Sequence, residues 1–317
     1  MLSTISTSKY ILLSLPLINT ALGATYTLSK SWQGNDFFDG FTWWEWDDPT
    51  QGRVNYVNQE TAISRNLSYV NGGNFIMRAD STNVVDPSAR GRDSVRIHSK
   101  DTYTDGNHGC QTYAYGMWYL ASILDMYQSW NMASRRRSRY HRRDIRGSGT
   151  PLLSDCTGGV GCGVRDKSSK SFGEEFNKNE GGIFVMRRSK TRGFSFWFWP
   201  HNSPQAPTDI TSGSQTIMES LWSTPVANFP ADQCDINSHF DDHEIIINLT
   251  FAGVWAGGDA QWAASGCAGT AGWTPDDYVN KNPQAFTDAY WEIRSLRWYT
   301  PVCTAGARKR RLTEDQW

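Results

Sequence analysis

From residue 24 to about residue 100, and again from about residue 171, apolar and polar positions alternate in short runs separated by turn residues. Ser94-Val-Arg-Ile-His-Ser-Lys places apolar side chains at every second position, the period of a strand with one buried face. Gly193-Phe-Ser-Phe-Trp-Phe-Trp-Pro sets Phe194, Phe196 and Phe198 on one face and Ser195, Trp197 and Trp199 on the other. Asn74–Arg78, Gly181–Arg187, His243–Phe251 and Ala289–Tyr299 read as further strands. Asp48-Pro49 and Asn71-Gly72-Gly73 mark turns between them. Helical periodicity is scarce, which predicts one all-β sandwich of two antiparallel sheets. The middle of the chain departs from this. Tyr113–Trp130 predicts a helix, and Ser134–Gly147 then holds seven arginines in fourteen residues. Those arginines cannot enter a sandwich core, because buried unpaired charge costs too much.

Composition supports the sandwich: 28 Gly, 15 Trp, 13 Tyr and 14 Phe stand among 317 residues. The formal net charge is −1. Seven of the 31 Lys and Arg residues lie in Ser134–Gly147, so the remainder is acidic and no nucleic-acid partner is expected. At the start, Lys9 precedes an apolar run from Tyr10 to Ile18, and Ala21-Leu22-Gly23 offers small residues at a cleavage site. Residues 1–23 are therefore expected to be a secretory signal peptide, too short to span a bilayer. No second apolar stretch predicts a membrane span. The expected location is extracellular or in the cell wall. Asn66-Leu-Ser and Asn248-Leu-Thr are glycan acceptor triplets and fit export. Cys110, Cys156, Cys162, Cys234, Cys267 and Cys303 suit an oxidising compartment, with their pairing open. Their spacing matches no zinc pattern, and no metal or other cofactor is expected. One domain over 24–303, a basic tail over 304–317 and a monomeric state complete these expectations.

Several segments, in order, carry a family resemblance: Asn35-Asp-Phe-Phe-Asp-Gly-Phe, Gly52-Arg-Val-Asn-Tyr-Val, Ser94–Lys100, Phe172-Gly-Glu-Glu-Phe-Asn-Lys-Asn-Glu-Gly-Gly, Phe196-Trp-Phe-Trp-Pro, His239-Phe, Phe251-Ala-Gly-Val-Trp-Ala-Gly and Tyr278-Val-Asn-Lys-Asn-Pro. Together with the Tyr290-Trp strand, they cover most of 30–105 and 160–300. In this order the chain resembles glycoside hydrolase family 16, in particular the secreted fungal endo-1,3(4)-β-glucanases of laminarinase type. The resemblance implies a concanavalin-like β-jelly-roll sandwich and a cleft for β-glucan polysaccharide. It makes Trp255 the first candidate for a sugar contact and Arg96 the second, with Trp197 and Trp199 assigned to packing. Ala252 and Val254 stand where the family usually has Cys and Asp, and His201 where Arg is common.

The family signature is Glu-x-Asp-x-x-Glu on one strand. Residues i and i+2 share a face, and a bulge brings i+5 onto it. Two carboxyls about 5–5.5 Å apart then serve as nucleophile and as acid then base in a retaining double displacement. No such hexad occurs anywhere in this chain. Glu174 and Glu175, near a glycine-rich turn, do not replace it.

Family order places the signature between Lys100 and Phe172, where the arginines lie. That stretch reads as one base out of frame. Met and Trp have single codons, so Met117-Trp118-Tyr119 shifts to Cys-Gly, Trp130 before Asn131 to Gly, and Met132 before Ala133 to Trp. With permitted codons, the residues ending at Arg142 become Gly-Gly-Glu-Val-Asp-Ile-Ile-Glu. The three family carboxylates then fall at Arg137, Arg139 and Arg142, and the aberrant segment covers about 106–154. A misplaced intron boundary and a real frameshift both produce this pattern. The chain as written is expected to be inactive, since arginine supplies neither nucleophile nor acid, and to fold poorly. A glucan-binding protein without catalysis, a decayed gene product and a basic-loop polyanion binder are the alternatives.

Overall fold

The computed structural model describes residues 24–100, the backbone of 112–116, and residues 145–152, 163–233, 244–265 and 272–302. Their largest element is a seven-stranded sheet. In spatial order its strands are Thr216–Met218, Thr25–Trp32, Leu296–Pro301, Thr112–Gly116, Gly182–Ser189, Gly193–Pro200 and Ala227–Phe229. Every neighbouring pair is antiparallel.

Shorter ladders face it. Phe41–Trp43, Arg96–Ser99 and Ile246–Asn248 form one, and Ser68–Asn71, Asn74–Arg78 and Tyr290–Ile293 form another. Val54–Tyr56 pairs with Arg92–Ser94 in parallel, an exception to the antiparallel pattern. Trp32, Leu296 and Trp298 from the large sheet meet Trp43, Ile97 and Ile247 from the small ladder in one buried cluster. Phe37 sits in that cluster fully buried, stacked on Phe41 at 5.4 Å and on Phe75 at 4.6 Å. This is the expected sandwich.

The large sheet is apolar on its other face too. Tyr26, Val185, Trp197, Trp199, Ile217 and Tyr299 point there, and Ile210 and Trp222 close over them. Trp197 also donates its indole N–H to the Ser223 carbonyl at 2.7 Å. Trp197 and Trp199 are therefore packing residues, as assigned from the sequence.

Four elements differ from expectation. Ala289–Tyr299 is not one strand. It breaks at Arg294-Ser295 into Tyr290–Ile293, in a short ladder, and Leu296–Pro301, in the large sheet. The buried parity changes there: Ile293 and Leu296 both enter the inter-sheet core, which continuous alternation forbids. His243–Phe251 contracts to the strand Ile246–Asn248. The polar positions Ser94 and Arg96 are buried rather than exposed, because residues 48–56 and 248–250 cover that face. Thr112–Gly116 is strand where a helix over Tyr113–Trp130 was expected, because its backbone pairs on both sides, with Leu296–Pro301 and Gly182–Ser189. Residues 117–130 lie outside the described residues. Chain order resumes at the sheet edge, where the Arg146 N–H donates to the Asn228 carbonyl at 2.9 Å and the Arg146 carbonyl accepts from the Asn228 N–H at 2.6 Å. Ile145 packs on Phe194 and Phe229 nearby.

Phe37 gives the sandwich a direct test. Phe37→Ala removes a buried ring held between two others and should cost about 3–5 kcal/mol of stability. A urea titration reads this as a lower midpoint with an unchanged slope.

Candidate functional site

The ladder of Phe41–Trp43, Arg96–Ser99 and Ile246–Asn248 has a second face, turned away from the core. Period two fixes it. Trp43, Ile97 and Ile247 point inward, so Thr42, His98 and Ile246 are opposite one another on the outer face. Arg96 and Asn248 form the next outer pair. The Trp44 N–H donates to the Arg96 carbonyl at 2.9 Å, which continues the ladder and puts Trp44 beside Arg96.

These side chains lock together. The Trp44 ring lies flat against His98, with centroids 4.9 Å apart and planes 9° from parallel. Trp46, 60% exposed, meets Trp44 edge-on at 5.0 Å. The Arg96 guanidinium lies 5.4 Å from the Trp44 ring centre and 5.9 Å from that of Tyr56. Its Nε donates to His98 Nε2 at 2.9 Å, and His98 Nδ1 lies 2.7 Å from Glu244 Oε2. That pairing places the ring proton on Nδ1. Arg96 is only 6% exposed, so it is spent on holding its neighbours and has little surface for a ligand.

Asp48 ties this face to the next loop. Its buried carboxylate accepts from the hydroxyls of Thr50 and Thr250, from the Gly52 N–H at 2.9 Å and from the Tyr56 hydroxyl at 3.3 Å. Arg96 Nη1 stands 3.8 Å away. Burial pushes the Asp48 carboxyl up, but the bonds from Thr50, Thr250 and Gly52 and the Arg96 charge outweigh it, and the group is held below the usual carboxylate value. Burial, with the Asp48 charge beside it, pushes the Tyr56 hydroxyl up to about 12. Tyr56 in turn accepts from Asn248 Nδ2 at 3.2 Å.

The loop carrying Trp255 docks on the same turn. The Val254 N–H donates to the Thr50 carbonyl at 2.8 Å, and the Arg53 N–H to the Phe251 carbonyl at 2.7 Å. Ala252 takes a left-handed conformation to make this bend, at φ 52°. Trp255 is left 54% exposed. Trp44, Trp46 and Trp255 thus flank one polar turn, with Arg96 buried behind them. Flat aromatic faces of this kind bind the C–H faces of pyranose rings, and polar neighbours take the hydroxyls.

Of the residues expected from the sequence, Trp255 and Arg96 are brought to the same turn through Asp48 and Thr50. Arg137, Arg139 and Arg142 lie outside the described residues. Asn66 is exposed at a left-handed turn, at φ 56°. Asn248 is half-buried, with its amide on Tyr56. Glu174 and Glu175 lie in the short exposed helix Gly173–Lys178, both paired with Lys178, at 2.8 and 3.0 Å. His201 lies 3.7 Å from Glu180. Sequence reading missed Trp44, Trp46, His98 and Tyr56 as parts of this face. The run Trp43-Trp44-Glu45-Trp46 carried the signal, since in a strand only one of the adjacent Trp43 and Trp44 can enter the core. Among the described residues, no three His, Cys, Asp or Glu side chains are grouped to hold a metal. None of the described helices is long and apolar enough to cross a membrane.

The fold is of the all-β sandwich class and leaves Trp46 and Trp255 exposed beside one polar turn. The family model described as the XgeA-like catalytic domain of glycoside hydrolase family 16 matches residues 41–111 and 130–299. The chain belongs to glycoside hydrolase family 16. It is 35% identical over 304 residues to a Schizosaccharomyces pombe protein named a probable glycosidase, covering 87% of this chain and 69% of that one. It is 31% identical over 308 residues to an endo-1,3(4)-β-glucanase of Arthroderma benhamiae, covering 87% and 65%. The chain spans about half the length of the Aspergillus relatives it matches, 47% for that of Aspergillus fumigatus. Its fold matches laminarinase 16A of Phanerochaete chrysosporium, solved with β-glucans in donor and acceptor sites, at a TM-score of 0.73 and 38% identity. That match covers 87% of this chain and 100% of the other.

Asp48 predicts an acid limb. Its depressed carboxyl value stabilises the fold fully above the unfolded value, and the contribution fades as pH falls through the folded one. Asp48→Asn should lower stability by about 1–3 kcal/mol at neutral pH. The gap between variant and parent should close as the solution is acidified. Urea titrations across an acid series check both points.

Proposed function

We propose that this chain derives from a secreted endo-β-glucanase acting on β-1,3 or mixed β-1,3/1,4 glucan. As written, it retains a glucan-binding face but not the means to cut. One observation carries the reading: the whole sequence lacks Glu-x-Asp-x-x-Glu, while the family scaffold on both sides of the missing motif is present. Arg137, Arg139 and Arg142 take the places of the carboxylates. A retaining mechanism needs one carboxylate to attack the anomeric carbon and a second to protonate the leaving oxygen. Arginine does neither at any accessible pH.

The face of Trp44, Trp46 and Trp255 is the binding surface in this reading, and Arg96, His98 and Asp48 position it. The family match passes over residues 112–129 and resumes at residue 130, ahead of the arginine stretch. The β-glucan named with the laminarinase structure supports the ligand. Residues 1–23 would direct export and be removed, and the mature chain would act as a monomer outside the cell.

The deciding experiment is to sequence the transcript across the codons for Gly106 to Ser171. A single added or lost base, or another splice boundary, that restores Glu-Val-Asp-Ile-Ile-Glu makes the gene product an active glucanase. Codons for the arginines as written leave the binding reading. The chain as written should then be retained by laminarin and release no reducing ends. Trp255→Ala should weaken that retention about tenfold, or about 1.4 kcal/mol. Reducing ends released by the chain as written would sink the proposal. In the restored protein, proton NMR of the first products should show the β anomer, since a retaining displacement preserves configuration.

A further inference from the structure

A cavity of about 540 Å³ opens on the opposite side of the molecule. Val185, Ile217 and Tyr299 form its floor, and all three belong to the outer cluster of the large sheet. Trp298, the neighbour of Tyr299, points the other way, into the inter-sheet core. Both layers of the sandwich therefore separate this cavity from the Trp44 face. A neutral glucan held there would not reach it.

The cavity has an unusual rim. Arg294, at the break between two strands, and Arg297, on the same face as Tyr299, both line it. Neither side chain makes a hydrogen bond or ion pair with another described residue. The contrast with other arginines is clear: Arg92 is paired with Asp80 and Arg187 with Glu219. The nearby carboxylate of Asp209 is already occupied, accepting the N–H groups of Ile210 at 2.9 Å and Met218 at 2.7 Å. Gly213 leaves room for the Arg297 head, since a Cβ there would stand 2.7 Å from the guanidinium. His201 lines the same cavity, with the exposed Glu180 3.7 Å from its ring. Asn202, Ser203, Thr208 and Thr211 add hydroxyl and amide groups to the walls.

We infer that this cavity is a second binding site, for one anionic sugar unit whose carboxylate or phosphate is gripped by Arg294 and Arg297. Guanidinium forks match both oxyanions in bidentate geometry. The volume falls within the usual range of small-ligand pockets, roughly 300–1,000 Å³. The apolar floor with the Tyr299 ring suits the C–H face of the sugar, and the wall hydroxyls and amides suit its hydroxyl groups. The inference stands apart from the glucan reading, because it uses a different face and a charged ligand.

Isothermal titration of the full chain tests it, with glucuronic acid, glucose 6-phosphate, glucose and inorganic phosphate as separate ligands. At least one charged sugar should bind, and the tighter of the two identifies the oxyanion. Glucose should show no heat at the same concentration, and inorganic phosphate should bind at least tenfold more weakly than the preferred sugar. Arg294→Gln with Arg297→Gln should lower affinity at least tenfold while the melting temperature holds, since neither head is in the core. The Arg294→Lys, Arg297→Lys pair should fall between, keeping the charge without the fork. Trp255→Ala should leave binding of the charged sugar unchanged, and laminarin should not compete. Equal binding of glucose, equal binding of inorganic phosphate, unchanged affinity in the Gln pair or no binding by either charged sugar would each overturn the inference.

Discussion

The large sheet is apolar on both faces, and the rest of the molecule follows from covering them. Adjacent side chains in a strand point to opposite sides. Trp298 and Tyr299 are the plainest case: one enters the inter-sheet core, and the other enters the cluster behind the sheet. Burying both faces needs two covers. The short ladders supply one, and the segments carrying Ile210 and Trp222 supply the other. Each cover creates a surface. The ladders present the Trp44 face to solvent, and the rear cover leaves the arginine-rimmed cavity.

The Trp44 face depends on a buried anion. Asp48 gathers Thr50, Gly52, Tyr56 and Thr250 around one carboxylate, so it joins the end of the tryptophan run to the strand and loop leading to Trp255. Arg96 sits close enough to offset its charge while lying against Trp44 and Tyr56. A network of this kind fixes aromatic orientation more tightly than apolar packing would, because each bond has a direction. It also explains why Asp48 and Arg96 are buried while Trp46 and Trp255 are exposed.

Family membership and the Glu-x-Asp-x-x-Glu motif separate in this chain. The scaffold aligns with glycoside hydrolases over both flanks, at 35% identity to one relative. A sandwich core tolerates change at any one position, because many contacts share the load. Catalysis by two carboxylates does not, because each performs a step no other side chain takes over. A change confined to those two side chains would therefore remove the chemistry while leaving the rest of the fold recognisable.

The sequence by itself determined the class of fold, the alternation of Gly193–Pro200 and the absence of Glu-x-Asp-x-x-Glu. These are local properties, written in period two and in residue identity. It also marked Trp255 and Arg96 through their neighbours in the chain. Tertiary structure alone decided that Ala289–Tyr299 divides between two layers, that Arg96 is spent inside a network and that Trp44 and Trp46 face solvent. It alone placed Arg294 and Arg297 on one rim. Alternation states that neighbouring side chains part company, but not which of two faces is the core. That choice rests on pairing between segments far apart, as when Asn248 meets Arg96 and Trp298 meets Ile97.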